Sequence, residues 1–197
     1  MEAIDALTSR LSVKADEMTE PGPSDAELQQ ILAAALRVPD HGRLFPWRVQ
    51  VLKKEAQRRL AEFYVARYRA LNPEARDNQV EHERHRPQRA PLLLVISNRL
   101  DAAHKIPVLE QTLSGGAFCM NIMNAVHALG YCANWVTGWP AFDDQVKAAL
   151  GVPPGSQIIG FIHIGTPAGP PKDRIRPKME DIVSEWCAPV VAESTQA

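Results

Sequence analysis

The sequence predicts an α+β or α/β domain in which helices flank about four strands in three layers. Helical and strand patterns alternate along the 197 residues, and 45% of them are hydrophobic, enough to bury a sizeable core. Two continuous apolar runs, residues 91–97 and 157–164, are typical of strands covered on both faces. We expect residues 1–187 to form the domain and residues 188–197 to be a mobile C-terminal tail.

The first elements are helices with recognisable ends. Residues 2–10 predict a short helix, and a second helix begins at Ser24. Ser24 and Glu27 have the S-x-x-E spacing of a capping box, in which each residue satisfies a free backbone N–H of the other. This helix must end before Pro39, because a residue that precedes proline avoids the helical region.

A strand over residues 47–52 and a strong helix over residues 54–71 follow. Residues 73–89 are charged and predict an irregular segment. Within it, the run from His82 to Arg86 contains two histidines but lacks Cys or carboxylate partners at metal-ligand spacing, so a solvated charged surface is the favoured interpretation.

The longest helical pattern covers residues 107–130 and contains the small residues Ser114 to Ala117 in its middle. Glycine inside a helix costs about 1 kcal/mol relative to alanine, so such a run indicates that another backbone or a ligand lies close. The pattern ends at Gly130, a residue type that commonly terminates helices.

The remaining pattern predicts a strand and turn over residues 131–138, a helix over 141–150 and the strand over 157–164. A proline-rich basic stretch, residues 166–178, follows.

Composition excludes several classes of protein. Lys and Arg number 22 and Asp and Glu 23, a net charge of −1 that offers nothing to nucleic acid or an anionic membrane surface. No apolar stretch approaches a membrane span, and the N-terminus does not resemble a secretory signal. The three cysteines include no C-x-x-C pair and favour a reducing cytoplasm, with Cys119 and Cys132 as core residues and not nucleophiles.

Familiar catalytic motifs are absent from the sequence. No G-x-G-x-x-G follows the first strand, and no G-x-S-x-G is present. Residues 165–172 superficially resemble a phosphate-binding loop, but they lack its Gly-Lys-Ser/Thr ending, and their prolines remove backbone donors.

Three separated segments carry side chains suited to anions or aromatic rings. They are Arg10-Leu11-Ser12-Val13-Lys14 at a helix end, the loop from Arg37 to Trp47, and Lys172-Asp173-Arg174-Ile175-Arg176. Guanidinium and ammonium groups are common phosphate ligands. Any one such segment is more often a solvated surface. Only the three segments together therefore indicate a binding site for an anion or an aromatic ring.

The order and spacing of these segments resemble the FMN-dependent nitroreductase family, in its compact YdjA-like branch. Members begin with a helix ending in R-R-S-x-R/K, which here is Arg10 to Lys14 with Leu11 in the second position. A capped helix then leads to a P-S-x-x-N-x-Q-P-W loop, which here is Pro39 to Trp47, with Phe45 in place of glutamine. The resemblance continues through the long helix, the segment 130–138 and Pro171-Lys172-Asp173-Arg174, and covers about residues 3–186.

The resemblance implies a three-layer α/β/α fold with a mainly antiparallel sheet, an intertwined homodimer, and FMN bound non-covalently between the subunits. In this view Arg10, Lys172 and Arg174 hold the phosphate, and Ser12 and Lys14 face the ribityl chain and pyrimidine edge. Trp135, Val136 and Thr137 pass backbone groups beside the ring, and Arg37 and His41 reach the flavin of the other subunit. The complete implied cofactor set is Arg10, Leu11, Ser12, Lys14, Arg37, Pro39, Asp40, His41, Trp135, Val136, Thr137, Lys172 and Arg174.

The implied activity is NAD(P)H-dependent reduction of a nitroaromatic, quinone or similar flat electrophile with ping-pong kinetics. No side chain need be a catalytic acid or nucleophile, because FMN carries the chemistry. Three alternatives stay open: an FMN-binding sensor or store with little turnover, a flavin enzyme that removes hydrogen or halogen from a small natural substrate, and an α+β interaction domain without a cofactor.

Overall fold

Five antiparallel strands form the centre of the molecule in the computed structural model, which describes residues 2–187. The strands are β1 (Met18–Thr19), β2 (Trp47–Leu52), β3 (Leu92–Asn98), β4 (Cys132–Val136) and β5 (Gln157–Pro167). The expected sheet of about four strands lacked β1, which has only two residues and therefore no readable alternation. The predicted antiparallel character is confirmed in every pairing.

Strand β5 is the central strand of the sheet and pairs with β1, β3 and β4. Its central residues are paired on both sides: Ile162 faces Leu94 of β3 and Trp135 of β4. All seven residues of β3 are buried. The two apolar runs therefore form strands covered on both faces, as predicted.

Helices cover both faces of the sheet. They are α1 (Ala3–Ser9), α2 (Asp25–Ala35), α3 (Lys54–Leu71), α4 (Asp77–His85), α5 (Val108–Ala128), α6 (Trp139–Phe142), α7 (Asp144–Ala149) and α8 (Met179–Ile182). The buried side chains of α2 and α5 pack on one face, and those of α3, α6 and α7 pack on the other. The three-layer α+β prediction is confirmed. Among residues 2–187, no helix is long and apolar enough to cross a membrane.

The prediction that residues 73–89 are irregular is wrong, because α4 and a 3-10 turn (Arg86–Gln88) lie there. Charge dominates the helix, and only Val80 and Glu83 are buried, so no apolar stripe marks it. A contact within the first turn stabilises the start of the helix: the side-chain oxygen of Gln79 accepts the backbone N–H of Arg76 at 3.0 Å. The solvated interpretation of this stretch is also wrong at Glu83, which is 5% exposed.

Helix ends follow the signals in the sequence. The capping box at α2 is confirmed: Ser24 Oγ accepts the Glu27 N–H at 3.3 Å, and the Glu27 carboxylate accepts the Ser24 N–H at 2.8 Å. Gly130 follows α5 with φ +88°, the left-handed conformation expected after a helix. The predicted helix 141–150 is divided in two, because the Asp143 carboxylate caps α7 through the N–H groups of Gln145 and Val146.

The small residues within α5 have two different surroundings. Gly115 faces inward, where a Cβ would overlap Asn98 and would lie 2.6 Å from Ile159 Cδ1. The expectation that another backbone or a ligand lies close therefore does not account for Gly115; side chains of the same chain do. Gly116 faces outward, and a Cβ built there would meet no described atom within 4 Å beyond its chain neighbours and its own helix backbone.

The chain beyond β5 leaves the sheet. Residues 168–187 are exposed throughout, and among them Ile175 and Trp186 are 101% and 82% exposed. The tail predicted for residues 188–197 lies outside the described residues.

Candidate functional site

A cleft of about 510 Å³ lies between the segment that follows α1 and the segment that follows β5. The sheet creates it: Met18 and Thr19 of β1 pair with Pro167 and Thr166, and the Ala168 N–H donates to the Glu17 carbonyl at 2.9 Å. The two segments are thereby held side by side although they are about 150 residues apart in the chain. The cleft is lined by Ser12, Val13, Lys14, Glu17 and residues 168–174.

Two of the predicted basic segments meet in this cleft. Lys14 forms a solvent-exposed pair with Glu17 at 3.6 Å. The Lys172 ammonium and the Arg174 guanidinium have no carboxylate within 4.0 Å among residues 2–187, although the Arg174 backbone N–H donates to Asp173 at 2.7 Å; the nearby Arg176 side chain is paired with the same carboxylate at 3.2 Å. The cleft therefore presents two cations whose charges are not already neutralised, which is the electrostatic requirement for binding a phosphate.

Arg10 lies outside the lining of this cleft, at the end of α1. Its Nε is buried and has no hydrogen-bond partner among the described residues. Burial lowers the pKa of His127, and the charge of Arg10 lowers it further, so the two side chains are close. A buried, unpaired guanidinium nitrogen is costly, and an anionic ligand would satisfy it.

The segment between Arg10 and Lys14 is anchored from beneath. Val13 is buried in a cluster with Met18, Ala90 and Cys132, the first residue of β4. Leu11 and Ser12 are half-buried, and only Ser12 of the two lines the cleft. The cleft consequently lies at the beginning of β4.

Trp135, Val136 and Thr137 lie at the opposite end of β4. Val136 lies four positions after Cys132, about 13 Å along the strand. Trp135 lies over Gly160, where a Cβ would overlap the indole ring, and its Nε1 donates to the Ile159 carbonyl at 3.2 Å. Thr137 is exposed at the end of the strand, so any ligand contacting both groups must extend along β4.

The loop with Arg37, Pro39, Asp40 and His41 is fixed to α5. The Ser114 hydroxyl donates to the Pro39 carbonyl at 2.6 Å, and Nδ1 of His41 lies 2.7 Å from the Glu110 carboxylate. Arg37 is exposed, and its carbonyl accepts the side-chain amide of Asn121 at 3.1 Å.

Asp40 shapes this loop from within. Its carboxylate accepts the N–H groups of Leu44 and Phe45 at 3.1 and 2.9 Å. Arg43 and Phe45 have φ values of +54° and +47°, in the left-handed region that residues other than glycine rarely adopt. The Asp40 carboxylate is thus used by the loop itself, which leaves the exposed Phe45 ring displayed on the surface.

The loop and Arg10 do not come together within one chain. His41 contacts Glu110 near the start of α5, and Arg10 lies near His127 at its end. Those two helix positions are about 25 Å apart at 1.5 Å per residue. Among the predicted site residues the structure therefore unites Ser12, Lys14, Lys172 and Arg174, and leaves Arg37 to His41 elsewhere on the protomer.

The two buried cysteines, Cys119 and Cys132, are not candidate nucleophiles. Burial raises the pKa of Cys119 to about 12 and that of Cys132 to about 11. The prediction that both are core residues is confirmed.

A polar cluster that was not predicted from the sequence lies against Gly138 and Trp139, the residues that follow Thr137. Glu83 and Arg86 form a two-hydrogen-bond ion pair, and Trp139 donates its indole N–H to the same carboxylate at 2.8 Å. The i, i+3 spacing of Glu83 and Arg86 was the available signal, but the same spacing occurs on solvated helices.

Comparison with known proteins decides the family. The model of the nitroreductase family matches residues 7–166. The chain belongs to the nitroreductase family. A nitroreductase relative from Escherichia coli (strain K12), named "Putative NAD(P)H nitroreductase YdjA", is 32% identical over 167 residues, which are 85% of this chain and 89% of the relative.

Solved structures of nitroreductase proteins share the fold. A nitroreductase-like family protein from Bacillus cereus superposes with a TM-score of 0.80 at 19% identity, over 94% of this chain and 96% of the other. A nitroreductase described as a complex with FMN, from Desulfovibrio desulfuricans, superposes with a TM-score of 0.72 at 19% identity, over 95% and 99%. The family resemblance and the nitroreductase-like fold predicted from the sequence are confirmed.

Proposed function

We propose that this nitroreductase-family chain is an FMN-dependent NAD(P)H oxidoreductase that reduces nitroaromatic, quinone or similar flat electrophilic acceptors. The observation that carries the proposal is the cleft in which Lys14, Lys172 and Arg174 converge, with the side-chain cations of the last two lacking a carboxylate within 4.0 Å among residues 2–187. The names of the relatives, which include an NAD(P)H nitroreductase and an FMN complex, support both the cofactor and the reductant.

The residues present fit the phosphate of FMN by charge. The phosphate would bind Lys172 and Arg174, and the buried Nε of Arg10 would gain the acceptor that it lacks among the described residues. Ser12 and Lys14 would contact the ribityl chain and pyrimidine edge. A cation at that edge stabilises negative charge on a reduced flavin ring.

The protein's part in the reaction is binding, orientation and electrostatics. When bound, FMN would supply the chemistry of hydride transfer from NAD(P)H to the second substrate. The backbone of Trp135, Val136 and Thr137 would lie beside the ring and fix its position. Both substrates would use one pocket in turn, so we expect ping-pong kinetics.

We further propose a homodimer in which each flavin site takes residues from both subunits. Leu109 and Leu113, 67% and 62% exposed, form an outward apolar stripe on α5 that continues to the open Gly116. Together with the exposed Ile175 and Trp186 of the arm of residues 168–187, this stripe is apolar surface that a partner subunit would cover. Arg37, Pro39, Asp40 and His41 would reach the partner's flavin, which explains their distance from the cleft of their own chain.

The dimer is tested by mass and by one substitution. We expect about twice 21.8 kDa in solution. Leu113→Glu should yield a folded chain with a weakened or absent dimer, since a charge would be buried against the partner helix. A wild-type chain that remains monomeric at all concentrations would contradict the proposal. We also place the enzyme in the cytoplasm, where its three free cysteines would stay reduced.

The activity is tested by the absorption spectrum of the purified protein, followed by anaerobic titration with NADH and with NADPH. We expect a yellow protein that is bleached by the reductant and reoxidised by a nitroaromatic or quinone. A colourless protein that takes up no added FMN would refute the proposal. A second candidate, FMN binding with little turnover, is favoured by Leu11 and Phe45, where the chain departs from the family motifs. A yellow protein that NAD(P)H does not bleach would support it.

A further inference from the structure

The turn that follows β4 is held by a buried ion pair on another helix. Gly138 has φ +135° and ψ −174°, a conformation available in practice to glycine alone. A Cβ on Gly138 would lie 3.2 Å from Arg86 Nη1, so the guanidinium of Arg86, the residue directly after α4, packs against this backbone. The turn is therefore shaped by Arg86 as well as by its own sequence.

Glu83 links the same ion pair to the next residue of the turn. Its carboxylate accepts Arg86 Nε at 2.6 Å and Nη2 at 2.9 Å, and it accepts Trp139 Nε1 at 2.8 Å. The indole also packs against Tyr64 and Tyr68, with ring centroids 5.5 and 6.0 Å away. Gly138 and Trp139 are thus fixed from one side by a single charged pair.

The hydrogen bonds within the pair favour its ionised form. Burial alone would raise the pKa of Glu83, but hydrogen bonds from Arg86 and Trp139 outweigh it, and the pKa lies below its ordinary value. The hydrogen bonds to Glu83 raise the pKa of Arg86. An apolar pair of similar volume would often give equal or greater stability, so a buried ion pair is weak evidence of a purely stabilising role.

We propose that Glu83 and Arg86 are positioning residues that fix the Gly138–Trp139 turn and, through it, the Thr137 backbone beside the flavin ring. This inference rests on the proposed function, because it needs FMN along β4. Thr137 is adjacent to Gly138 in the chain, so a shift of the turn moves its peptide group directly. Neither Glu83 nor Arg86 need touch FMN.

The test compares two Glu–Arg pairs with the same i, i+3 spacing, Glu83–Arg86 and Glu81–Arg84. Glu83→Gln removes the charge of the buried pair, and Glu81→Gln does the same for the exposed Glu81–Arg84 pair, whose Nε–carboxylate distance is 3.1 Å. Trp139→Phe is a second variant, which deletes the indole donor, reduces the bicyclic ring to one ring and keeps that aromatic ring against the tyrosines. Each variant is measured for FMN dissociation constant, visible spectrum of bound FMN, melting temperature and hydrogen exchange.

Exchange is read at two amides that bond to the turn. The Ala141 N–H donates to the Gly138 carbonyl at 3.0 Å, and the Asp143 N–H donates to the Trp139 carbonyl at 3.1 Å. In Glu83→Gln and Trp139→Phe we expect loss of protection at these amides, an altered spectrum of bound FMN, and an FMN dissociation constant raised roughly 2- to 30-fold. Glu81→Gln should match the wild type in all three.

Several outcomes would overturn the inference. If Glu83→Gln and Trp139→Phe bind FMN with the wild-type constant and spectrum, the pair is only structural. Should Glu83→Gln fail to fold, Trp139→Phe decides by the same measurements. An equal effect of Glu81→Gln would also overturn it. A wild-type chain that takes up no FMN would refute the proposed function and this inference together, whereas variants that bind FMN like the wild type would refute only the inference.

Discussion

Replacing Gly115 by alanine tests the packing of α5 against the sheet. Two effects oppose each other: alanine is better than glycine in a helix by about 1 kcal/mol, and overpacking a filled core costs about 1–3 kcal/mol. A Cβ at this position would overlap the Asn98 side chain and lie 2.6 Å from Ile159 Cδ1. Asn98 is buried, so it has little room to retreat.

We therefore expect Gly115→Ala to be destabilised by about 1–2 kcal/mol, which lowers the melting temperature by about 2–8 °C in a chain of this size. The assay is urea and thermal unfolding at fixed protein concentration. Asn98→Ala provides a matched partner, because both amide atoms of Asn98 are buried without a hydrogen-bond partner among the described residues, so their removal breaks no bond.

The double variant Gly115→Ala/Asn98→Ala should recover part of the loss, with a coupling of about 1 kcal/mol between the two sites. A Gly115→Ala protein as stable as the wild type would refute the packing argument. Strict additivity of the two substitutions would refute the contribution of Asn98.

Three further predictions concern the cleft, acid stability and a helix cap. Arg174→Ala should weaken FMN binding by about 10- to 150-fold, the value of a lost charge-assisted hydrogen bond, while Lys178→Ala, whose cation already pairs with an acid, should not; isothermal titration measures both. His163 has its pKa lowered to about 4 by burial, with a smaller effect of a nearby arginine. Its unfolded pKa is about 6.5, so the unfolded state binds the extra proton first and stability falls by about 3 kcal/mol as pH drops from 6.5 to 4; urea unfolding of the wild type and of His163→Gln across this range measures it. Asp143→Ala should cost about 0.5–2 kcal/mol through loss of the α7 cap, and more through loss of the ion pair with Arg67, whose Nη2 lies 2.8 Å from the carboxylate; Asp143→Asn loses that ion pair as well but should cost less, because asparagine also caps helices; urea midpoints compare them.

Each of these predictions has a contradicting result. Equal loss of FMN affinity in Arg174→Ala and Lys178→Ala would point to net charge and not to a specific contact. The same pH dependence in wild type and His163→Gln would assign the acid instability to other groups. Equal stability of Asp143→Ala and wild type would show that the observed cap contributes nothing.

Most helices and strands were predicted from the sequence, because the contacts that mark them join residues close together in the chain. The Ser24–Glu27 capping box and the glycine after α5 act within one helical turn, so neighbouring residues reveal them. The apolar run over β3 is visible because both faces of that strand are covered. Strand β1 was missed, because its two residues depend on pairing with the far end of the chain.

The candidate site was predicted only as separate segments. Composition indicated the cations at residues 10–14 and 172–174, but their meeting depends on β1 pairing with β5 across almost the whole chain. Helix α4 and the buried Glu83–Arg86 pair were missed, because a charged helix with two buried positions has no readable apolar stripe. The burial of a charge is a property of what packs on it, and sequence spacing does not contain that information.

The central position of β5 has a consequence for how the protein forms during its synthesis. β5 ends at Pro167 and joins β1, β3 and β4. Until β5 has left the ribosome, β2 with β3 is the one native strand pair of residues 2–187 that can form, and the apolar side chains that pack on the other strands have no complete sheet to cover. Lys172 and Arg174 emerge a few residues later. The completion of the sheet and the completion of the cationic cleft are therefore nearly simultaneous, and a nascent chain truncated before β5 has neither.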